Sequence, residues 1–175
     1  WTHLLPAMAD APLADDATGQ YALSKQLANS MISPVKGEAT PLIVQAVSGK
    51  TYQIELNSEN EENFRTVMLH FREQDCLLSF TDDKQEHQVT CGYNQWLSST
   101  TTFYTPVNAF HKQPTKIEAS GAWTDPTTFS AKIIYIETPH CLTITFHLDK
   151  NKLIIKRSWN VSFGPLELPV LLGNK

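Results

Sequence analysis

Ser33-Pro34-Val35-Lys36 is the stretch of this sequence that matches a nucleophile pattern, Ser-x-x-Lys. In hydrolases that use this pattern, the serine and the lysine lie one turn apart on a helix, so that the amine can accept the hydroxyl proton. Pro34 within the motif and Gly37 directly after it favour a linker instead. Neither Lys-Thr-Gly nor Gly-x-Ser-x-Gly occurs in the sequence. We therefore predict no catalytic residue and expect that this chain is not itself an enzyme.

Metal and cofactor chemistry have equally little support in the sequence. The six histidines and three cysteines form neither Cys-x-x-Cys nor His-Glu-x-x-His. Cys141 and His147 share one face of a predicted strand, but about 20 Å separates positions six residues apart on a strand, too far to share one ion. Glycine-rich phosphate-binding motifs are also missing. We predict no metal site and no cofactor.

The three cysteines, Cys76, Cys91 and Cys141, allow at most one disulfide within the chain. Each lies in an apolar, strand-like context, where a buried free thiol behaves as a small hydrophobic side chain. The sequence thus favours structural thiols.

The charge distribution argues against several partners. The net charge is -4, and no basic cluster is longer than Lys156-Arg157, so we expect no nucleic-acid partner. The longest apolar runs, such as Ile133 to Ile136, are only strand-sized, so we expect no membrane insertion. The sequence opens on Trp1 without an initiator methionine, and any targeting signal is expected upstream. Cytoplasmic and extracytoplasmic locations both stay open.

Aromatic side chains are the remaining candidates for a site. Trp96, Trp123, Trp159 and Tyr52 could line a ligand pocket, because flat rings offer a large contact area with a polar atom attached. The alternative is that these rings simply fill the core.

Two kinds of element would position these residues. A helical apolar pattern covers Ala17 to Met31, and the Pro/Gly-rich stretch from Pro34 to Pro41 follows as a linker. From Leu42 onward, alternating segments rich in Thr, Val, Ile, Phe and Tyr replace the helical period. We predict a helical connector over 1–41 and an antiparallel β-barrel domain over 42–175.

Short polar turns separate the strand-like segments, and no helix intervenes between them. The fold class predicted is all-β and mainly antiparallel: a lipocalin-like up-and-down barrel or strongly curved sheet of about 8–10 strands, preceded by one N-terminal helix. The segments are Thr51–Leu56, Phe64–Phe71, Asp75–Thr81, Glu86–Trp96, Lys116–Thr124, Thr127–Glu137, Cys141–Leu148 and Lys152–Val161.

Five phrases of the sequence resemble the C-terminal region of serine hydrolases of the β-lactamase and penicillin-binding-protein superfamily, in its class C-like or esterase-like branch. The phrases are Trp1 to Met8, Val47 to Tyr52, Ala119 to Asp125, Ile136 to Pro139 and Asn160 to Pro165. The resemblance implies that the catalytic motifs lie in an upstream domain of the same polypeptide, which would be the partner of this chain. It carries over no catalytic residue.

The leading hypothesis is therefore a non-catalytic accessory domain that shapes access to a hydrolase active site or supports assembly, including a homo-oligomer. A lipocalin-like barrel that binds a small ligand is the first alternative. A carbohydrate- or cell-wall-binding module is the second, and it requires an exposed row of aromatic rings.

Overall fold

The computed structural model describes residues 1–8, 14–37, 40–55, 63–103 and 114–175. The chain divides into two compact units, Trp1–Ser33 and Pro34–Lys175. The boundary predicted between residues 41 and 42 stays a prediction. No helix among the described residues is long and apolar enough to cross a membrane.

The first unit contains a short 3-10 helix, Leu5–Ala7, and the helix α1, Ala17–Asn29. The side chain of Asp16 accepts a hydrogen bond from the amide of Gly19 at 2.8 Å and so caps the first turn of α1. The predicted helix is confirmed, although it ends at Asn29 instead of Met31. No residue of α1 is buried.

Among its described residues, the second unit contains one short helix, α2, and ten strands. Residues 30–37, which include the Ser33 to Lys36 motif, form no helix, so this serine and lysine do not lie on one helical turn. Helix α2 and strands β1 to β10 are Val44–Val47, Lys50–Ile54, Thr66–Phe71, Asp75–Thr81, Glu86–Tyr93, Leu97–Thr101, Thr115–Asp125, Thr128–Tyr135, Cys141–Leu148, Lys152–Trp159 and Glu167–Asn174.

The strands are arranged in the order β4-β3-β2-β1-β10-β9-β8-β7-β6-β5, and β4 also pairs with β6. The β4–β6 pairing is parallel, joins Gly92 to Ser120 and Tyr93 to Gly121, and closes nine strands into a ring. Strand β5 pairs antiparallel with the first half of β6, beside the ring. The predicted all-β, lipocalin-like barrel is thus confirmed.

Alternation of side chains builds the interior of the barrel. On β7, Phe129, Ala131, Ile133 and Tyr135 are fully buried and alternate with partly exposed residues. Strands β2, β8 and β9 alternate in the same way, and the buried residues of the barrel form one continuous core.

The segment from Pro34 to Gly37 covers part of the outer face of β6. The Val35 amide donates a hydrogen bond to Ser120 Oγ at 3.1 Å. A Cβ atom on Gly37 would lie 2.1 Å from the Trp123 carbonyl oxygen, so only glycine fits at this close approach. This cover explains why Ser120 and Ala122 are buried although they face outward.

The predicted strands and the structure differ most at β4, β5 and β10, and the ends of β1, β2, β6, β7 and β9 shift by one to two residues. Strands β5 and β10 were not among the predicted segments, and β4 ends at Tyr93 and continues through Gly92 without a break in register. The turn expected over residues 57–63 lies mostly outside the described residues.

Candidate functional site

Arg157 is a charged residue buried inside the barrel. Its side chain lies on the inner face of β9, which it shares with Ile155 and Trp159, and is 2% exposed. Its Nη2 donates a hydrogen bond to the Pro169 carbonyl at 3.2 Å, and its guanidinium carbon lies 5.9 Å from the centre of the Phe64 ring. Pro169 lies at a register shift in β10, where it has no amide to offer the ladder. The bulge thereby provides an acceptor for the buried guanidinium.

His87 lies on the same side of the interior, because Phe64 contacts both residues. The ring of His87 is 6.3 Å from that of Phe64 and nearly perpendicular to it. His87 Nδ1 and Thr102 Oγ1 are 2.9 Å apart, and His87 Nε2 and Asp82 Oδ2 are 3.1 Å apart. This network joins the β3–β4 turn to the end of β5.

Asp82 is held as a carboxylate. Partial burial opposes its ionisation, but hydrogen bonds from the amides of Gln85 and Lys84 and from His87 outweigh that effect, so the pKa of Asp82 lies below its ordinary value. The two amides donate to Asp82 Oδ1 at 2.8 and 2.7 Å. A fixed negative charge therefore lies beside the buried imidazole.

Trp159, two residues beyond Arg157 on β9, packs against two side chains that carry buried polar atoms, Tyr135 and His140. Its ring lies 5.9 Å from the rings of both Tyr135 and His140. Tyr135 Oη and His140 Nδ1 are buried and find no hydrogen-bond partner among the described residues. Burial, followed by the charge of Cys141, raises the pKa of Tyr135, which keeps its hydroxyl protonated and able to donate. We call this side of the barrel the arginine end, defined by Arg157, His87, Tyr135, His140 and Trp159.

At the arginine end, the end of β5 lies beside the first half of β4. Thr101 Oγ1 donates to the Gln88 carbonyl at 2.7 Å and joins β4 to β5 through a side chain. Glu86, Gln88, Thr100, Thr101, Thr102 and Pro114 line an open cleft of about 320 Å³ here. The cleft is polar, in contrast to the interior.

The opposite side of the barrel is apolar and tightly packed. The Trp123 ring lies 4.8 Å from Phe71 and 5.6 Å from Phe129. Cys76 and Cys91 are fully buried beside these rings, on strands that pair with one another. We call this side the thiol end, defined by Cys76, Cys91, Phe71, Trp123 and Phe129.

A series of ring contacts connects the two ends. From Arg157 the series begins at Phe64 and passes through four further rings. The successive centre-to-centre distances are 5.2 Å for Phe64–Phe80, 6.2 Å for Phe80–Phe146, 6.4 Å for Phe146–Phe129 and 5.6 Å for Phe129–Trp123. These rings belong to the continuous core of the barrel.

The structure separates the four predicted binding residues. Trp159 lies at the arginine end, Trp123 at the thiol end, and Tyr52 on β1, where its ring is 5.6 Å from Lys175 Nζ. Trp96 is half-buried in the β4–β5 turn. Trp123 and Trp159 are buried and cannot belong to the exposed aromatic row that a carbohydrate-binding module requires.

Sequence reasoning missed Arg157 and His87. Lys156-Arg157 was considered only as a basic pair, although alternation along β9 places Arg157 on the same face as Leu153 and Ile155. That alternation was the available signal. Within the described ranges, no three His, Cys, Asp or Glu side chains come together as a metal site.

Comparison with known proteins identifies the fold. No protein-family model matches the sequence, and no curated protein does. A fatty acid-binding protein from brain tissue of Drosophila melanogaster is similar in structure, with a TM-score of 0.53 and 12% identity over 74% of this chain and 99% of that chain. As-p18, an extracellular fatty acid-binding protein, is also similar in structure, with a TM-score of 0.53 and 12% identity over 79% of this chain and 100% of that chain.

These comparisons correct the family interpretation. The assignment to the C-terminal region of a β-lactamase-type serine hydrolase is wrong, because the structural neighbours are fatty acid-binding proteins. The accessory-domain hypothesis and its upstream catalytic partner fall with it. Within the barrel, the phrases behind the assignment are strand and turn sequences, such as Ala119 to Asp125 in β6 and Asn160 to Pro165 after β9.

The expectation that this chain is not itself an enzyme agrees with the neighbours, which are binding proteins. The part of that expectation that linked the chain to a parent serine hydrolase has no support.

Proposed function

We propose that this chain binds a small apolar molecule with an acidic head group inside its barrel. The head group faces Arg157, and the apolar part lies along the aromatic series toward Trp123. The observation that carries this proposal is the guanidinium of Arg157, 2% exposed on an inner face that is otherwise apolar.

The free energy of burial supports a binding role for Arg157. A buried charge is costly even when it is hydrogen-bonded, and an apolar side chain of similar size is often equally stable or more stable in its place. The planar guanidinium matches a carboxylate in geometry and can donate two parallel hydrogen bonds. Arg157 is therefore better explained by recognition of an anion than by stability.

Two unpartnered polar atoms at the same end extend this argument. Within the part of the chain that the structure describes, Tyr135 Oη and His140 Nδ1 are buried without a hydrogen-bond partner, which costs free energy unless a ligand or water satisfies them. Both lie around Trp159, two residues along β9 from Arg157. A polar head group at the arginine end would find several donors within one small region.

The structural neighbours support the ligand class. Both proteins are described as binding fatty acids, which combine a carboxylate with an apolar chain. At 12% identity the likeness establishes the fold alone, so no residue of theirs is transferred to this chain. The chemistry of the head group rests on Arg157.

Displacement of a fluorescent probe tests the proposal. The protein is loaded with 1-anilinonaphthalene-8-sulfonate and titrated with hexadecanoic acid, its methyl ester and hexadecanol. We expect the acid to displace the probe at the lowest concentration. Arg157→Met should weaken the acid about 10–100-fold, as loss of a hydrogen bond to a charged group predicts, and leave the ester unchanged.

Arg65→Met is the matched control, because Arg65 pairs with Asp83 at the surface and should not affect binding. Equal loss in the two variants, or equal affinity of the unmodified protein for acid and ester, would contradict the role of Arg157. Failure of all three compounds to displace the probe or to change tryptophan fluorescence would remove the carrier function itself.

The orientation of the ligand is tested with brominated acids, since bromine quenches tryptophan at short range. Trp123→Phe leaves Trp159 as the interior reporter, and Trp159→Phe leaves Trp123. An acid brominated beside its carboxyl group should quench Trp159 more, and one brominated at the far end of its chain should quench Trp123 more. The reverse pattern would place the head group at the thiol end and contradict the proposal.

A further inference from the structure

Cys76 and Cys91 face each other across the β3–β4 hairpin. The register pairs them directly. On either side, the Tyr93 amide donates to the Gln74 carbonyl at 3.4 Å, and the Asp82 amide donates to the Gln85 carbonyl at 3.1 Å. Because these bonds recur every second residue in an antiparallel pair, Cys76 and Cys91 also form a hydrogen-bonded pair, whose Cα atoms are about 5.5 Å apart.

This Cα separation lies within the range of roughly 4.4–6.8 Å found in disulfides. The Cβ atoms of a hydrogen-bonded pair are about 5 Å apart, beyond the roughly 3.8 Å of a relaxed disulfide, so the two strands must move slightly closer when the bond forms. Both side chains point to the same inner face of adjacent strands and are fully buried. Gly121, on β6, adjoins this pair: a Cβ atom there would lie 3.2 Å from that of Cys91 and 2.5 Å from Phe129 Cζ. Cys141, on β8, is half-buried, and its position in the ladders faces Ile134, not another cysteine.

Burial also keeps the two thiols from taking part in thiol–disulfide exchange in the folded state. Burial, followed by the neighbouring Cys91, raises the pKa of Cys76, and burial raises the pKa of Cys91. Only a thiolate attacks a disulfide, so exchange must occur when the hairpin is open. A bond made at that stage would be enclosed by the barrel as it closes.

We propose that Cys76 and Cys91 form a cross-strand disulfide when the chain folds in the presence of a low-molecular-weight disulfide. One cysteine, as thiolate, attacks oxidised glutathione and releases one glutathione thiol. The second then attacks the mixed disulfide and releases the other, so that two cysteine thiols are oxidised and one glutathione disulfide is reduced to two thiols. The new Sγ–Sγ bond adjoins Gly92, where β4 pairs with β6 and the ring closes.

Peptide mapping under non-reducing conditions tests this proposal. The protein is unfolded in denaturant and refolded with either oxidised glutathione or a reductant, then alkylated and digested with trypsin. Cleavage after Arg72, Lys84 and Lys112 places Cys76 in peptide 73–84 and Cys91 in peptide 85–112. We expect these peptides to be joined in the oxidised sample and separate in the reduced one, with Cys141 alkylated in both.

Two further measurements keep the test decisive. The oxidised protein should melt higher than the reduced protein, by up to about 10 °C, because the crosslink restricts the unfolded chain by more than the strand shift costs. Cys141→Ser should keep this difference, and Cys76→Ser and Cys91→Ser should each abolish it. If either of the latter variants does not fold, the peptide map of Cys141→Ser decides. Free thiols, glutathione adducts or crosslinks through Cys141 in place of the joined peptides would overturn the proposal.

Discussion

The arginine end and the thiol end are both lined by aromatic rings, but they differ in what accompanies those rings. At the thiol end Phe71, Trp123 and Phe129 pack against one another, and the β4–β6 pairing closes the wall. At the arginine end a guanidinium and an imidazole lie among the rings, and side-chain hydrogen bonds join β4 to β5. One end maximises apolar packing, whereas the other accepts the cost of buried polar groups. That asymmetry locates the proposed recognition of a head group.

The largest expected effect is on the free energy of unfolding. Phe129 is fully buried and contacts four other aromatic rings, so Phe129→Ala should cost about 3–5 kcal/mol. Arg157→Met should change stability by no more than about 1 kcal/mol, because the lost hydrogen bonding of the guanidinium is offset by relief of a buried charge. Urea unfolding followed by tryptophan fluorescence measures both.

The same two variants can break the comparison. If Arg157→Met proved as destabilising as Phe129→Ala, the guanidinium would be a structural part of the core and the arginine end would lose its distinction. If Arg157→Met stays stable but no longer distinguishes the acid from its ester, the two ends differ as proposed: the thiol end stabilises the fold, and the arginine end recognises the head group.

A second prediction concerns how tightly the thiol end is packed. A Cβ atom on Gly121 would lie 2.5 Å from Phe129 Cζ and 3.2 Å from Cys91 Cβ. Gly121→Ala should therefore cost about 1–3 kcal/mol by overpacking, measured by the same urea titration. Gly164→Ala is the control, because the nearest atom to its Cβ would be 4.0 Å away. Equal stability of the two variants would indicate a looser thiol end than the structure shows.

Local patterns in the sequence predicted most of the elements, but the closure of the ring depends on long-range pairing. Strand β8 coincides with its predicted segment, Cys141–Leu148, because clean alternation and short turns define it. Strand β10 contains Pro169, which weakens a strand pattern and produces the bulge that receives Arg157. The parallel β4–β6 contact has no local signature, because it joins Gly92 to a residue of a distant segment.

The candidate site was only partly predictable for a related reason. Tryptophans attract notice by their size, yet Trp123 and Trp159 lie at opposite ends and form no single pocket wall. A buried arginine is identified by its place in the alternation of β9, which requires the strand and its register to be known first. The family resemblance failed because short phrases from strands and turns reflect local β geometry, which unrelated barrels share.

The smallest effect expected is on the pH dependence of stability at the arginine end. Asp82 has a pKa below its ordinary value, because hydrogen bonds from Gln85, Lys84 and His87 outweigh the opposing effect of partial burial. A carboxyl group whose pKa is lower in the folded state contributes stability above its unfolded pKa of about 3.9, and this contribution is lost as pH falls through the folded value. Asp82→Asn removes it.

We expect Asp82→Asn to lower the free energy of unfolding at pH 6, by a smaller amount than Gly121→Ala does. The difference from the unmodified protein should shrink toward pH 3. Urea midpoints across this range, with and without 1 M salt, provide the measurement. Asp83→Asn is the control: its exposed carboxylate pairs with Arg65, so salt should screen its contribution, whereas that of the less exposed Asp82 should persist. If the difference in unfolding free energy for Asp82→Asn did not depend on pH, the carboxylate charge would not stabilise the link between the β3–β4 turn and β5. The polar network would then be a geometric feature of the arginine end that does not contribute to its stability.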